Sequence, residues 1–265
     1  MDRDELRSKI IKGITIALPI VLVAILAMLV VVAMDIPRDD ETVPVINGGV
    51  GTSTTTTTTA KPEDEEIPDP SSAGLSFLSF GDGTCALDGI GECTDTFIIV
   101  PTMSYDGDIV VEISDGAFKN SNLIRGIELP STLKKIGAYA FYGSTIKNII
   151  IPSSVSEIGN YALSGCKHLE KIEVDEDNKS YLSISGALYS KDGKTLITYP
   201  AGKSDNFVNI SRDVTKIANM AFYRCSNIKK VNYHGTSLSW AEVEIGAGNE
   251  VIDEAFIYCA GDSGK

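Results

Sequence analysis

Apolar positions in the second half of this chain recur as one phrase, Ile-x-x-x-Ala-Phe or a near relative, each copy followed by a polar turn and a short apolar run. The copies read Ile113-Ser-Asp-Gly-Ala117-Phe118, Ile136-Gly-Ala-Tyr-Ala140-Phe141, Ile158-Gly-Asn-Tyr-Ala162-Leu163 and Ile217-Ala-Asn-Met-Ala221-Phe222. The first three begin 23 and 22 residues apart; the fourth begins 59 later, which reads as one repeat of 22 plus an insertion of 37. A fixed period in the low twenties predicts a solenoid, whose usable surface is a stacked strand face rather than an enclosed cavity. Within each coil the Ile and the Phe or Leu are expected to point inward, and the Ala lets neighbouring backbones approach. The runs Ile127-Glu-Leu-Pro130, Ile149-Ile-Ile-Pro152, Ile172-Glu-Val174 and Val231-Asn-Tyr233 alternate as strands with one buried face. Pro130 and Pro152 stand at strand ends, where a missing donor costs least.

The first half follows a different pattern. Residues 14–34 carry no charge, and at about 1.5 Å per residue they span roughly 30 Å, enough for a bilayer core. Arg3, Arg7, Lys9 and Lys12 precede this run, whereas Arg38 follows it among acidic residues. That bias predicts a single transmembrane helix with a cytoplasmic N-terminus and the repeats outside the cell. The alternative, a secretory signal cleaved near Ala33, also exports the repeats, but the run exceeds the usual apolar core of such signals. Next come the Thr54–Thr59 run and Lys-Pro-Glu-Asp-Glu-Glu-Ile-Pro-Asp-Pro70, with too little apolar surface to offset their ordering entropy; a disordered spacer is expected.

Composition narrows the function classes. The net charge of −13 and the absence of a Lys/Arg cluster in the repeats argue against nucleic acid. His168 and His234 have neither zinc nor general-base spacing and are expected at the surface. No phosphate loop, nucleophile elbow or Cys-x-x-Cys pair occurs, so no enzyme, cofactor, metal site or small-molecule substrate is expected. Asp175-Glu-Asp177 lacks ordered calcium-ligand spacing and reads as a solvated turn. Cys166 and Cys225, at one repeat position, read as small core residues. Cys85 and Cys93 flank a Gly-rich turn and form the candidate disulfide. Asn178-Lys-Ser180 and Asn209-Ile-Ser211 match the glycosylation pattern, and Lys191-Asp-Gly193 between β-rich runs predicts a hairpin.

The phrases Ile127-Glu-Leu-Pro-Ser-Thr-Leu-Lys-Lys-Ile-Gly-Ala-Tyr-Ala-Phe141 and Ile151-Pro-Ser-Ser-Val-Ser-Glu-Ile-Gly-Asn-Tyr-Ala162 resemble BspA-type leucine-rich repeats of bacterial and protozoan surface proteins. The lead-in from Gly83 to Pro101 and the closing segment from Tyr233 to Asn249 resemble the flanks of such repeats. The resemblance implies an α/β leucine-rich-repeat solenoid of short parallel strands and short helical turns, with one inserted β-hairpin; the charge-free run of residues 14–34 places a single transmembrane helix before it. The expected organisation is a cytoplasmic tail (1–13), the transmembrane helix (14–34), the linker (35–74), an N-terminal cap (75–109), the repeats (110–233, hairpin insertion at about 175–210) and a C-terminal cap and tail (234–265). It further implies a protein or cell-surface ligand.

If the strands stack in register, Glu128, Ile150, Glu173 and Asn232 form one outward column, and Asn148, Lys171 and Lys230 lie in its neighbour. With Arg125 these are the candidate partner-binding residues, on a face expected to have no aromatic cluster. The expected function is non-catalytic recognition or adhesion at the cell membrane; the alternative is an envelope scaffold organising membrane proteins of the same cell.

Overall fold

The computed structural model describes residues 71–262; the expected tail, the transmembrane helix and most of the linker lie outside them. Among the described residues no helix is long and apolar enough to cross a membrane. In chain order the strands are β1 (Ser76–Ser79), β2 (Thr84–Gly89), β3 (Phe97–Ile99), β4 (Ile109–Ile113), β5 (Gly126–Glu128), β6 (Lys135–Ile136), β7 (Asn148–Ile151), β8 (Glu157–Ile158) and β9 (Lys171–Val174). They continue as β10 (Tyr181–Ile184), β11 (Ala187–Ser190), β12 (Thr195–Thr198), β13 (Phe207–Ile210), β14 (Lys216–Ile217), β15 (Lys230–Tyr233), β16 (Glu244–Ile245) and β17 (Phe256–Cys259). The strand face consists of two sheets, β3-β5-β7-β9 and β13-β15-β17. The other side is built by β1-β2-β4-β6-β8 and β10-β11-β12-β14-β16. The chain is a β-solenoid.

The expected helical turns are not there. The Ile of each phrase instead ends a short strand of the second side, with Ile113, Ile136 and Ile158 in parallel register. The reason lies at the fourth position of the phrase. Gly116, Tyr139, Tyr161 and Met220 have φ of 70°, 57°, 61° and 55°. A left-handed residue cannot continue a helix and costs a non-glycine residue about 1–2 kcal/mol. Bonds between coils offset that cost: Gly116, Tyr139 and Met220 donate their N–H groups to Ala138, Asn160 and Ala247 of the next coil, at 2.8, 3.0 and 2.7 Å. Coils approach so closely here that a Cβ on Gly137 would lie 2.6 Å from the Asp115 nitrogen. Short helices occur only in the closing segment among the described residues, at Ser237–Ala241, Glu250–Asp253 and Ala260–Asp262.

The insertion also differs from expectation. The Asp192-Gly193 turn joins β11 to β12, but a second tight turn at Ser185-Gly186, both with positive φ, joins β10 to β11, making an antiparallel three-stranded meander. Strand β12 then pairs parallel with β14, and β13 with β15. A whole coil was therefore concealed within the span 175–210. In it Tyr199 takes the place of Phe: its N–H donates to Ala221 O at 2.8 Å, as that of Phe118 does to Ala140 O at 2.7 Å. Its ring stacks on Phe222 at 5.1 Å, matching the Phe118–Phe141 pair at 5.3 Å.

Burial follows the two sheets. Ile98, Ile127, Ile149 and Ile172 belong to an N-terminal core, and Val208, Val231, Leu196 and Ile217 to a C-terminal one. Strand β11 joins them, since Leu188 packs in the first while Ala187 and Tyr189 pack in the second. Strands β16 and β17 extend both columns beyond Tyr233. Asn249 ends the phrase column with its side chain, which accepts from Phe222 N and donates to Ala218 O and Gly246 O.

Candidate functional site

Alternation along each strand of the face sends one residue inward and the next outward, and parallel register aligns the outward ones. Gly126, Asn148 and Lys171 align across β5, β7 and β9, and Ile150 pairs with Glu173. Glu128 aligns with Ile99 of β3. Lys230 and Asn232 do not extend these columns. They stand in the second sheet, in rows Phe207–Lys230–Phe256 and Asn209–Asn232–Tyr258, because the meander separates β9 from β13.

The first sheet carries a groove of about 630 Å³, lined by Glu128, Asn148, Ile150, Lys171 and Glu173 together with Phe97, Leu129, Pro152 and Asp175. Five of the eight candidate residues thus meet at one place, while Arg125, Lys230 and Asn232 lie outside it. Ile150, in its middle, is 58% exposed, and Phe97 at its end is 55% exposed. The Phe97 ring lies over Gly126, where a Cβ would sit 2.7 Å from it. The Lys171 ammonium contacts the Glu173 carboxylate. Arg125 is exposed at the strand entry, its N–H donating to Thr96 O.

The face does have aromatic residues, contrary to expectation. Phe207, Phe256 and Tyr258 are exposed on the second sheet, and the Lys230 ammonium sits 4.9 Å above the Tyr258 ring. Asn232 donates to Asn209 at 3.0 Å. These aromatics escaped the sequence reading because β13 lay in the supposed insertion and β17 in the supposed cap. A second aromatic group was also missed. On the turn edge Tyr139 packs on Tyr142 and Tyr161, and Tyr142 stacks on Tyr223 at 5.8 Å. Arg224 lies over the Tyr223 ring, and Lys119 over Tyr139. Tyrosine at the fourth position of two phrases, and directly after Phe in two, was the signal available for it.

The remaining candidates are structural. All five cysteines are unpaired. This corrects the expected bond: the Cys85 thiol, on β2, is directed at Asp108 O at 3.6 Å, whereas Cys93 is held in a turn through its N–H to Ile90 O. Cys166 and Cys225 are buried, with their thiols on Phe141 O and Tyr199 O, equivalent carbonyls of preceding coils. Burial pushes both thiols up, Cys225 to about 12, so neither is a ready nucleophile. Asn178, at the head of a glycosylation pattern, is fully buried. Its amide donates to Pro152 O and Val155 O and accepts from Ser180 N and Tyr181 N. It holds a turn, and no glycan could reach it. His168 and His234 are exposed. Among the described residues no group of His, Cys, Asp and Glu could hold a metal ion.

No curated protein matches the chain. Among solved structures it is similar to a leucine-rich cell surface protein from Faecalibacterium prausnitzii A2-165, at 18% identity and a TM-score of 0.43, covering 71% of this chain and 73% of that one. A leucine-rich repeat protein from Eubacterium ventriosum is 23% identical with a TM-score of 0.40, and the chain spans 54% of its length while 52% of this chain is covered. The pneumococcal vaccine antigen PcpA is 19% identical with a TM-score of 0.32, covering 65% of this chain and 64% of that one. The assignment rests on the repeats themselves: the family described as the BspA type leucine-rich repeat region matches in six copies across residues 107–200 and 201–244, just over half of the chain, and the chain belongs to that family.

Proposed function

We propose that this protein is a membrane-tethered, non-catalytic recognition module whose strand face binds a protein at a cell surface. Membership of a repeat family that typically serves as a non-enzymatic, protein-binding scaffold supports this reading. The observation that carries it is the groove over β3-β5-β7-β9, where an exposed Ile150 sits among aligned polar side chains on a rigid sheet. An apolar centre with a polar surround is the usual anatomy of a binding patch. The tether is the charge-free run of residues 14–34, with its cationic flank on one side.

The full chain in detergent should show saturable binding to envelope or host-surface fractions, and Ile150→Asp should abolish it while leaving thermal unfolding unchanged. Saturable binding that is indifferent to Ile150→Asp would move the site off this face. Deletion of residues 14–34 should release the protein from membranes on fractionation; continued sedimentation with them would refute the tether.

A further inference from the structure

We infer that the groove selects a cationic partner, an extended protein segment that sets an apolar side chain on Ile150 and Lys or Arg side chains on the acidic lip beside it. This rests on the strand-face reading above and adds the chemistry of the partner. Glu128, Glu173 and Asp175 line the groove. Ile150, Glu173 and Asp175 also line an adjoining hollow of about 480 Å³, where Glu176 and Asp177 join them. The two depressions form one trough with an apolar residue at its centre and five carboxylates along it. The one ammonium in the trough, that of Lys171, already contacts Glu173. The other cations of this sheet, Arg125 and Lys147, sit at the strand entries, outside the groove. The strand entries are thus of mixed charge, since Glu170 shares their row, whereas the ends where the strands leave the sheet carry carboxylates alone.

These carboxylates do not make a cation-binding cage. No three of them converge as metal ligands among the described residues, and Asp175 spends one oxygen on Asp177 N at 2.9 Å. Spread along a lip beside an apolar centre, they suit separate basic side chains on an extended chain. In a molecule of net charge −13 the field also repels anionic partners on approach. The solvent-facing position of the lip makes its contribution sensitive to salt.

The test uses the full chain in detergent and three labelled short peptides alternating leucine with lysine, glutamine or glutamate, read by fluorescence anisotropy. The leucine–lysine peptide should bind saturably. Its affinity should fall roughly tenfold in the triple variant Glu128→Gln, Glu173→Gln, Asp175→Asn, and similarly in raised salt, as expected when steering charges are removed. Asparagine at 175 keeps the acceptor for Asp177, so the turn survives; an unchanged melting curve checks this. Ile150→Ser should weaken binding of the leucine–lysine peptide further. If the glutamine peptide binds equally well, or the triple variant changes nothing while Ile150→Ser still weakens binding, the cationic partner is refuted and the strand-face reading stands. If Ile150→Ser leaves binding unchanged, both fall. If none of the three peptides binds, the cationic-segment inference is refuted, and the cell-surface assay on Ile150→Asp decides the face separately.

Discussion

The two sheets of the strand face obey the same coil rule and present different chemistry. In β3-β5-β7-β9 the inward column is Ile98, Ile127, Ile149 and Ile172; in β13-β15-β17 it begins with Val208 and Val231. Outward, the first sheet offers an aliphatic centre with carboxylates, the second three exposed aromatics with Lys230 and an Asn209–Asn232 pair. The repeat therefore constrains what points in and leaves the outward positions free to diverge, as a core shared between stacked coils requires. The concealed coil at β12 and β13 keeps the core column while shortening the turn. With that turn short, Tyr223 of the next coil lies over Gly165 and reaches Tyr142 across the break. The halves are joined by this clasp outside, by β11 within, and by a backbone bond from the Gly202 N–H to Leu169 O.

The most severe way to break the comparison is to open a cavity in one half. Phe141→Ala and Phe222→Ala should each cost about 4 kcal/mol in denaturant unfolding, since both rings are fully buried and stacked. If the two halves act as one body, both variants should keep a single transition; two resolved transitions would show that β11 and the clasp do not couple them. Next in size are the buried amides that hold one turn in each half. Asn178→Ala and Asn249→Ala should each lose about 3 kcal/mol, because several backbone groups lose their partners without access to water. A loss below about 1 kcal/mol would show that water replaces the amide.

A smaller effect tests the clasp. The Tyr223 hydroxyl, as the group toward which Tyr142 would donate, and burial push the Tyr142 hydroxyl above its ordinary range. Tyr223→Phe should leave stability nearly unchanged while moving the Tyr142 titration back down. An unmoved titration would place the pair out of contact in solution. Stability effects are as small at the outward residues, where Ile150→Asp and Phe256→Ser should stay within about 0.5 kcal/mol of the parent. They should separate in binding: the first abolishes capture at the groove, and the second leaves it intact.

Residues 127–174 were legible because the phrase repeats there without interruption, so the inward Ile positions and the outward Glu128, Asn148, Ile150, Lys171 and Glu173 could be placed by counting. Beyond Val174 counting failed. Tyr199 stands three residues after Leu196 rather than five, which removes the left-handed turn by which the phrase is recognised, and the Asp192-Gly193 signal marked the whole stretch as a hairpin. The column expected from Glu173 to Asn232 therefore spans a gap. Likewise Ile245-Gly-Ala-Gly-Asn249 is a phrase with its Ala and Phe replaced, so no recognisable phrase announces the strand after it, with Phe256 and Tyr258. The helical turns failed for a conformational reason, because nothing in a residue such as Tyr139 announces a positive φ.

By itself the sequence determined the period, the inward columns, the family and the charge pattern, because each depends on residues within one coil or on composition. Only the tertiary structure decided which coils are neighbours, where the face divides, and that Phe97 and Asp175 join Glu128, Ile150 and Glu173 in one trough. Those outcomes depend on how separate coils register against one another. Register is set by which buried residues stack in the shared core and by the turns between strands, and these meet only when stretches some twenty residues apart come together.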